Sequence, residues 1–199
     1  MFYSASFFAI LTYYSLALEY MVTTLSVLTL VADIIIVLAI LAWIVEQFHK
    51  LRFLNPVKQL TRKYSLELLF IIPLIATLGS LYLSEIKGWT PCKLCWYQRI
   101  FMYPIVILVG TALLRKAKGI ISYLIPFSVI GAVIAAVHYA EQIRARLAPL
   151  DPLVPCDASG ISCAATPLFH FGYITIPMMA LSAFGLILVV ALLNKPRTS

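Results

Sequence analysis

Apolar residues crowd into five stretches of the chain, at about 22–45, 66–84, 96–114, 120–140 and 173–193. Each approaches or exceeds the roughly 17–25 residues that cross the hydrocarbon core of a bilayer as a helix. In lipid, a single segment satisfies its own backbone N–H and C=O groups only as a helix. The pattern therefore predicts an all-α integral membrane protein with five transmembrane helices. Residues 1–20 (MFYSASFFAILTYYSLALEY) fit the pattern less well, because polar residues interrupt the apolar ones. They carry no Lys or Arg and lead to no A-x-A-like site, so they do not read as a signal peptide. They are expected to lie along the outer interface through their Phe and Tyr residues. Extension of the first helix and a sixth span are the alternatives, the latter leaving only Glu19 and Tyr20 for a turn.

The charges orient these spans. Segment 49–63 (HKLRFLNPVKQLTRK) holds five basic residues and no acid, RKAK at 115–118 adds three, and NKPRTS at 194–199 adds two. Short loops rich in Lys and Arg stay on the cytoplasmic side. With these three connections inside, the spans alternate consistently. Segments 85–95 and 141–172 then lie outside, and the C-terminus lies inside. The formal net charge of +7 is thus a topology signal, and no basic-aromatic interleaving of the nucleic-acid type accompanies it. Composition agrees: 62% of residues are hydrophobic and 12% charged, against about 45–50% and about 25% in soluble domains. A soluble enzyme and a disordered chain are both excluded.

All four cysteines fall in the two outer segments, where disulfides persist. Cys92 and Cys95 form C-K-L-C, and Cys156 and Cys163 are separated by six residues. A C-x-x-C loop is too short to staple distant parts of a fold. It suits redox exchange, in which one thiolate attacks and the other resolves. Pro91-Cys92 precedes the apolar run, so the thiols are expected at a helix N-terminus, whose partial positive charge favours a thiolate. Arg99 lies one turn beyond Cys95 on the same face. Competing readings are a Cys₄ zinc site with an unusually loose second half, two inert disulfides, and an Arg99 that merely snorkels.

The stretch PCKLCWYQRIFMYP at 91–104 resembles the DsbB family of membrane disulfide-generating proteins, its BdbC branch most closely. The resemblance continues through the basic turn at 115–118, the helix end containing His138, the pair Cys156/Cys163, and FGYITIPMMAL at 171–181. It implies a four-helix transmembrane bundle over 66–193, with residues 1–65 as an extra N-terminal segment, helix and basic loop, and 194–199 as a cytoplasmic tail. It also implies a multi-pass protein of the cytoplasmic membrane whose acceptor is a quinone, ubiquinone or menaquinone, with no metal. The partner would be an extracytoplasmic thioredoxin-fold dithiol protein like DsbA or BdbD. Carried over by motif, Cys156 would be attacked by that partner, and Cys163 would relay electrons to the Cys92–Cys95 pair. Cys95 would face the quinone, with Arg99 and His138 beside it. In the related VKOR group the loop cysteines precede C-x-x-C; here they follow it, as in the DsbB type. Two features depart from the family pattern. The first 65 residues have no counterpart in the four-helix form, and the loop cysteines are closer together than in long-loop members. A membrane scaffold or transporter subunit with structural disulfides is the reading from another class.

Three further features are weighed as structural. Asp33, near the middle of the first span, costs roughly 2.5–3.5 kcal/mol to insert on translocon scales. It is expected to be protonated or hydrogen-bonded to a neighbouring helix, a proton route being the alternative. His170 reads as part of an aromatic belt, and Met178 and Met179 as packing residues. Ile143, Leu147 and Leu150 with Arg144 and Arg146 suggest a short amphipathic helix on the membrane surface, broken by Pro149, Pro152 and Pro155 before Cys156.

Overall fold

The computed structural model describes residues 2–49, 55–148 and 160–194, with the side chains of 2–15, 17, 18 and 49 left aside. Its helices are α1 (Phe2–His49), α2 (Asn55–Lys63), α3 (Ser65–Leu81), α4 (Lys93–Leu114), α5 (Ile121–Leu147) and α6 (Ile176–Asn194). Among the described residues five helices are long and apolar enough to cross a membrane. Among the described residues no extended strand accompanies them; an isolated bridge pairs His170 with Ile174. The all-α membrane fold expected from the apolar pattern is the one observed.

Helices α3 to α6 share one core, in which Leu69, Ile105, Val109, Leu124, Phe184 and Ile187 are buried. Its closest seam is α5 against α6. A Cβ placed on Gly131 would collide with the ring of Phe184, so only hydrogen fits there. Interiors packed this closely yield little. Gly131→Ala is therefore expected to destabilise the detergent-solubilised protein by about 1–3 kcal/mol. Thermal unfolding reads this, and Phe184→Leu in the same chain should recover most of it.

Helix α1 packs on the outside of this core, chiefly against α6. Its bundle-facing stripe is Val22, Ser26, Thr29 and Ala32, spaced at helical intervals and all buried. Small residues let two helix backbones approach in lipid. Ser26 and Thr29 return hydrogen bonds to Val22 O and Leu25 O, so their hydroxyls carry little cost. Ion pairs hold α1 near both ends of its span, Glu19 to Lys87 at 2.7 Å and Glu46 to Lys58 at 2.6 Å.

Three expectations need correction. Phe2–Tyr20 do not form a segment apart from the span: they continue α1, which runs unbroken for 48 residues. At about 1.5 Å per residue that is roughly 70 Å, more than twice the hydrocarbon thickness. The proposed surface helix around 143–147 is the end of α5, which runs on to Leu147 because the charged residues after His138 end the apolar run without breaking the helix; Leu150 lies outside the described residues. The basic connection 49–63 contains α2. Pro56 sits in its first turn, where a missing N–H costs nothing, and Arg62 and Lys63 complement the dipole in its last turn.

Lys118 Nζ donates to the carbonyl of Arg62 at 3.0 Å, and α2 packs against α6. The basic connections thus meet at one end of the bundle. The other end holds the π-helical turn Tyr82–Ile86, the start of α4 and the segment 160–175. Gly88 (φ 71°) turns the chain there, between the π-turn and α4. Residues Phe171 and Gly172, both at positive φ, turn it back towards α6.

Candidate functional site: a buried dithiol at the head of α4

Cys92 is the N-cap of α4, with extended backbone (φ −74°, ψ 174°). Its carbonyl accepts from Trp96 N–H at 3.1 Å. Both thiols of the C-x-x-C are therefore at the helix N-terminus, as the position of Pro91 suggested. Both are free, with the sulfurs 3.2 Å apart. A disulfide needs about 2.05 Å between them, a small closure. Cys163 is also buried and packs with Cys92 and Leu94 in one cluster. The structure thus brings together three of the four cysteines singled out in the sequence. Cys156 lies outside the described residues.

His138 stands against the pair. Its Nε2 is 3.6 Å from Cys92 Sγ and 3.1 Å from the carbonyl oxygen of Cys163. A carbonyl only accepts, so Nε2 carries a proton. Nδ1 lies 3.0 Å from the side-chain amide of Gln98, which donates to it in the neutral ring. Next along α5, Gln142 Nε2 donates to Ala165 O at 2.7 Å and fixes the same loop to the helix. Arg146 lies over the ring of Phe169 at 3.7 Å and does so again further out. His138 is consequently not at the tip of its helix, as the sequence implied. It sits more than two turns inside, because α5 continues to Leu147.

Cys95, Gln98, Arg99 and Met102 recur at intervals of three and four along α4, and the last three are buried. Arg99 reaches across to α3: Nε donates to Ser80 Oγ and Nη2 to Ser80 O, each at 3.0 Å. Its guanidinium carbon is 5.1 Å from the Trp96 ring centroid and 5.9 Å from that of Tyr103. Tyr103 OH donates to the same Ser80 Oγ. Gln98, Ser80 and Gln142 were not singled out from the sequence. The available signal was a polar side chain inside an apolar helix on the cysteine face, which for Gln98 and Ser80 carries little weight without a partner in view.

These groups line a cavity of about 370 Å³ that is otherwise almost wholly apolar. Cys92, Cys95, Gln98, Arg99 and His138 form its polar corner, and α1, α3 and α6 its remaining walls. The ligand atoms of Cys92, Cys95 and His138 lie within 4.8 Å of one another, a donor set that suits a soft metal. Ligation through Nε2, however, would break the bond to Cys163 O, and zinc requires thiolates. The hydrogen bond to Cys95, together with burial, pushes the Cys92 thiol from its ordinary 9.0 up to about 12. Alkylation of Cys92 in the reduced protein is accordingly expected to reach half its limiting rate near pH 12, read by mass spectrometry. A midpoint at or below 9 would show that the proton is not held. Since folding tightens this proton, the reduced form should lose stability as pH rises from about 9 towards 12.

The residues read as structural behave as such. Asp33 accepts from Tyr173 OH at 2.9 Å and from Ser182 Oγ, which ties α1 to α6 and to the segment 160–175. Burial and that bond push the Tyr173 hydroxyl up to about 12, so it remains a donor. His170 Nδ1 is 2.8 Å from Ser26 Oγ on α1, a tertiary contact in place of a membrane-belt position. Met179 packs against Val22, Leu83 and Leu168.

The chain is similar in sequence to known proteins. The family model described as "Disulfide bond formation protein DsbB" matches residues 62–194. Disulfide bond formation protein C of Bacillus subtilis (strain 168) is 43% identical over 130 residues, 65% of this chain and 91% of that protein. A probable disulfide formation protein of Metapseudomonas resinovorans is 37% identical over 132 residues, 66% of this chain and 90% of its own length. The probable disulfide formation protein C of Bacillus cereus (strain ATCC 14579) is 46% identical over 115 residues, 55% of this chain and 76% of that protein. No solved structure matches the chain. With a family match across two thirds of its length, C-x-x-C included, this multi-pass membrane protein belongs to the DsbB family of disulfide bond formation proteins, on its BdbC-like branch.

Proposed function

We propose that the protein oxidises the dithiol of an extracytoplasmic, DsbA- or BdbD-like thioredoxin-fold partner and passes the electrons to a membrane quinone. The observation that carries this reading is the shared cavity: the dithiol of buried Cys92 and half-buried Cys95 and a buried arginine open into one apolar chamber. Such a chamber rejects a charged, water-borne acceptor and accepts a hydrophobic ring. Its volume admits the head of a quinone, and its polar corner supplies donors for carbonyl oxygens.

The steps balance as thiol–disulfide exchange. A partner thiolate attacks Cys156 of an oxidised Cys156–Cys163 pair and releases Cys163 as thiolate. The second partner thiol resolves the mixed disulfide, loses its proton, and leaves Cys156 reduced. Cys163 then attacks Cys92 of the oxidised Cys92–Cys95 pair, a direction supported by the packing of Cys163 with Cys92. Cys95 leaves as a thiolate beside the cavity, and exchange with Cys156 restores the loop disulfide. The quinone, when bound, supplies a two-electron acceptor that takes up two protons on reduction. Arg99 and the Gln98–His138 pair would hold its oxygens, and the apolar walls would exclude water.

Quinone reduction driven by a reduced thioredoxin-fold protein tests the reading directly. Turnover with both present supports it, and no turnover with either ubiquinone or menaquinone would leave the scaffold reading. Orientation follows from the same proposal, with α2, 115–118 and 194–199 cytoplasmic. Cysteines introduced at 116 are expected to resist membrane-impermeant maleimide in intact cells and to react after permeabilisation. Labelling in intact cells would reverse the topology and remove the extracytoplasmic partner.

A further inference from the structure

The family match begins at residue 62, yet α1 forms a wall of the redox cavity through Leu25, Leu28, Thr29 and Ala32. Its attachment is uneven. On α6 it is fixed by the Asp33–Ser182 hydrogen bond and by Ile36, whose Cδ1 would stand 3.0 Å from a Cβ on Gly185. On α3 it meets Gly79 through Leu25, also at 3.0 Å from a Cβ position. Around that touch point the two helices part, and a second apolar cavity of about 520 Å³ lies between them. The two cavities share Leu25, Leu28, Ile75 and Gly79. The chamber holding the dithiol therefore adjoins, across Leu25 and Gly79, a cleft whose walls, Leu28 and Ile75, are 46% and 43% exposed.

Two other seams among the described residues are filled. Phe184 fills the space at Gly131 between α5 and α6, and Phe70 approaches Gly110 between α3 and α4. At the outer end, Val22, Leu83 and Leu168 pack together with Trp89. An acceptor with a long hydrocarbon tail has to keep that tail in an apolar medium while its ring sits at Cys95 and Arg99. The α1/α3 cleft meets this need. It is apolar, it adjoins the ring chamber, and it opens towards the acyl chains.

We propose that the cleft between α1 and α3 seats the lipid tail of the quinone acceptor, with Leu25 over Gly79 at its neck, so that α1 sets which tailed acceptors the enzyme takes. This deepens the quinone reading and rests on it.

The test uses the full-length protein in lipid nanodiscs with a reduced thioredoxin-fold partner. Two acceptors are compared, a quinone with a long isoprenoid tail and the same ring without one. Met21→Trp and Leu78→Trp fill the cleft from its two walls, at positions that line the cleft and not the ring chamber. Leu38→Trp, on a lipid-exposed position of α1 that lines neither cavity, is the control. Both cleft variants are expected to raise KM for the tailed quinone by about tenfold or more, since several buried methylenes lose their seat. KM for the tail-less ring and first-turnover oxidation of the partner should stay unchanged, and the control should match the unsubstituted protein. Equal effects on both acceptors, no effect on either, or an equal effect in the control would each overturn the assignment. If the unsubstituted protein reduces neither quinone, the acceptor reading itself fails, a result distinct from loss of tail selectivity.

Discussion

The Cys95→Ser protein is expected to lose steady-state quinone reduction by a factor on the order of 10³ or more, as removal of an essential nucleophile does, while still capturing its reduced partner. Without Cys95 the head of α4 cannot form a disulfide, so electrons reaching Cys163 have no acceptor. The Cys156–Cys163 pair is untouched and should react once. Cys156→Ser should behave in the opposite way, with no mixed disulfide and no first turnover. Cys163→Ser is the most informative of the set. The bond from His138 goes to the backbone carbonyl of residue 163, so the loop keeps its anchor when the sulfur is replaced. Cys156 is then left without a disulfide to offer, so reduced partner should not be captured and no first turnover should occur, even though the loop stays in place. Non-reducing gels and quinone absorbance read the three variants together. Equal and mild effects from all of them would mean two structural disulfides, and the relay would fall.

How much of this was readable in the sequence depends on the range of the interaction involved. The spans were, because lipid demands an unbroken apolar stretch. So was the position of the C-x-x-C thiols at a helix start, because Pro91, the two thiols and the start of α4 are adjacent in the chain. The extent of α5 was not. Glu141, Arg144 and Arg146 look like the edge of a membrane, and a helix can leave the membrane without ending. Helix α2 was passed over for a related reason, since dense charge and Pro56 suggest a loop until the position of the proline in a first turn is considered. The partners of Arg99, His138 and Asp33 lay further from view. Ser80 is 19 residues from Arg99, Gln98 is 40 from His138, and Ser182 is 149 from Asp33. No local pattern encodes such pairs. The wall formed by α1 is the extreme case, because the resemblance stops where that helix ends and gives no reason to place it at the site.

Arg99→Lys is expected to raise KM for quinone by about ten- to a hundredfold, the scale of one or two charge-assisted hydrogen bonds, with first-turnover oxidation of the partner intact. The arginine spends two N–H groups on Ser80, one on the hydroxyl and one on the carbonyl, and keeps its plane beside Trp96 and Tyr103. This geometry fixes the cation at the polar corner of the cavity, where negative charge develops on the acceptor. Lysine keeps the charge but not the planar fork. Its ammonium cannot reproduce the Nε and Nη2 bonds to Ser80 and remain beside both rings, so the cation loses its place. Ser80→Ala separates the two contributions. It removes the oxygen shared by Arg99 and Tyr103 but leaves the backbone bond, and should raise KM by only a fewfold. A snorkelling arginine predicts the reverse, since lysine snorkels equally well. An unchanged KM in Arg99→Lys, with the partner reaction intact, would assign Arg99 to the fold and remove it from the acceptor site.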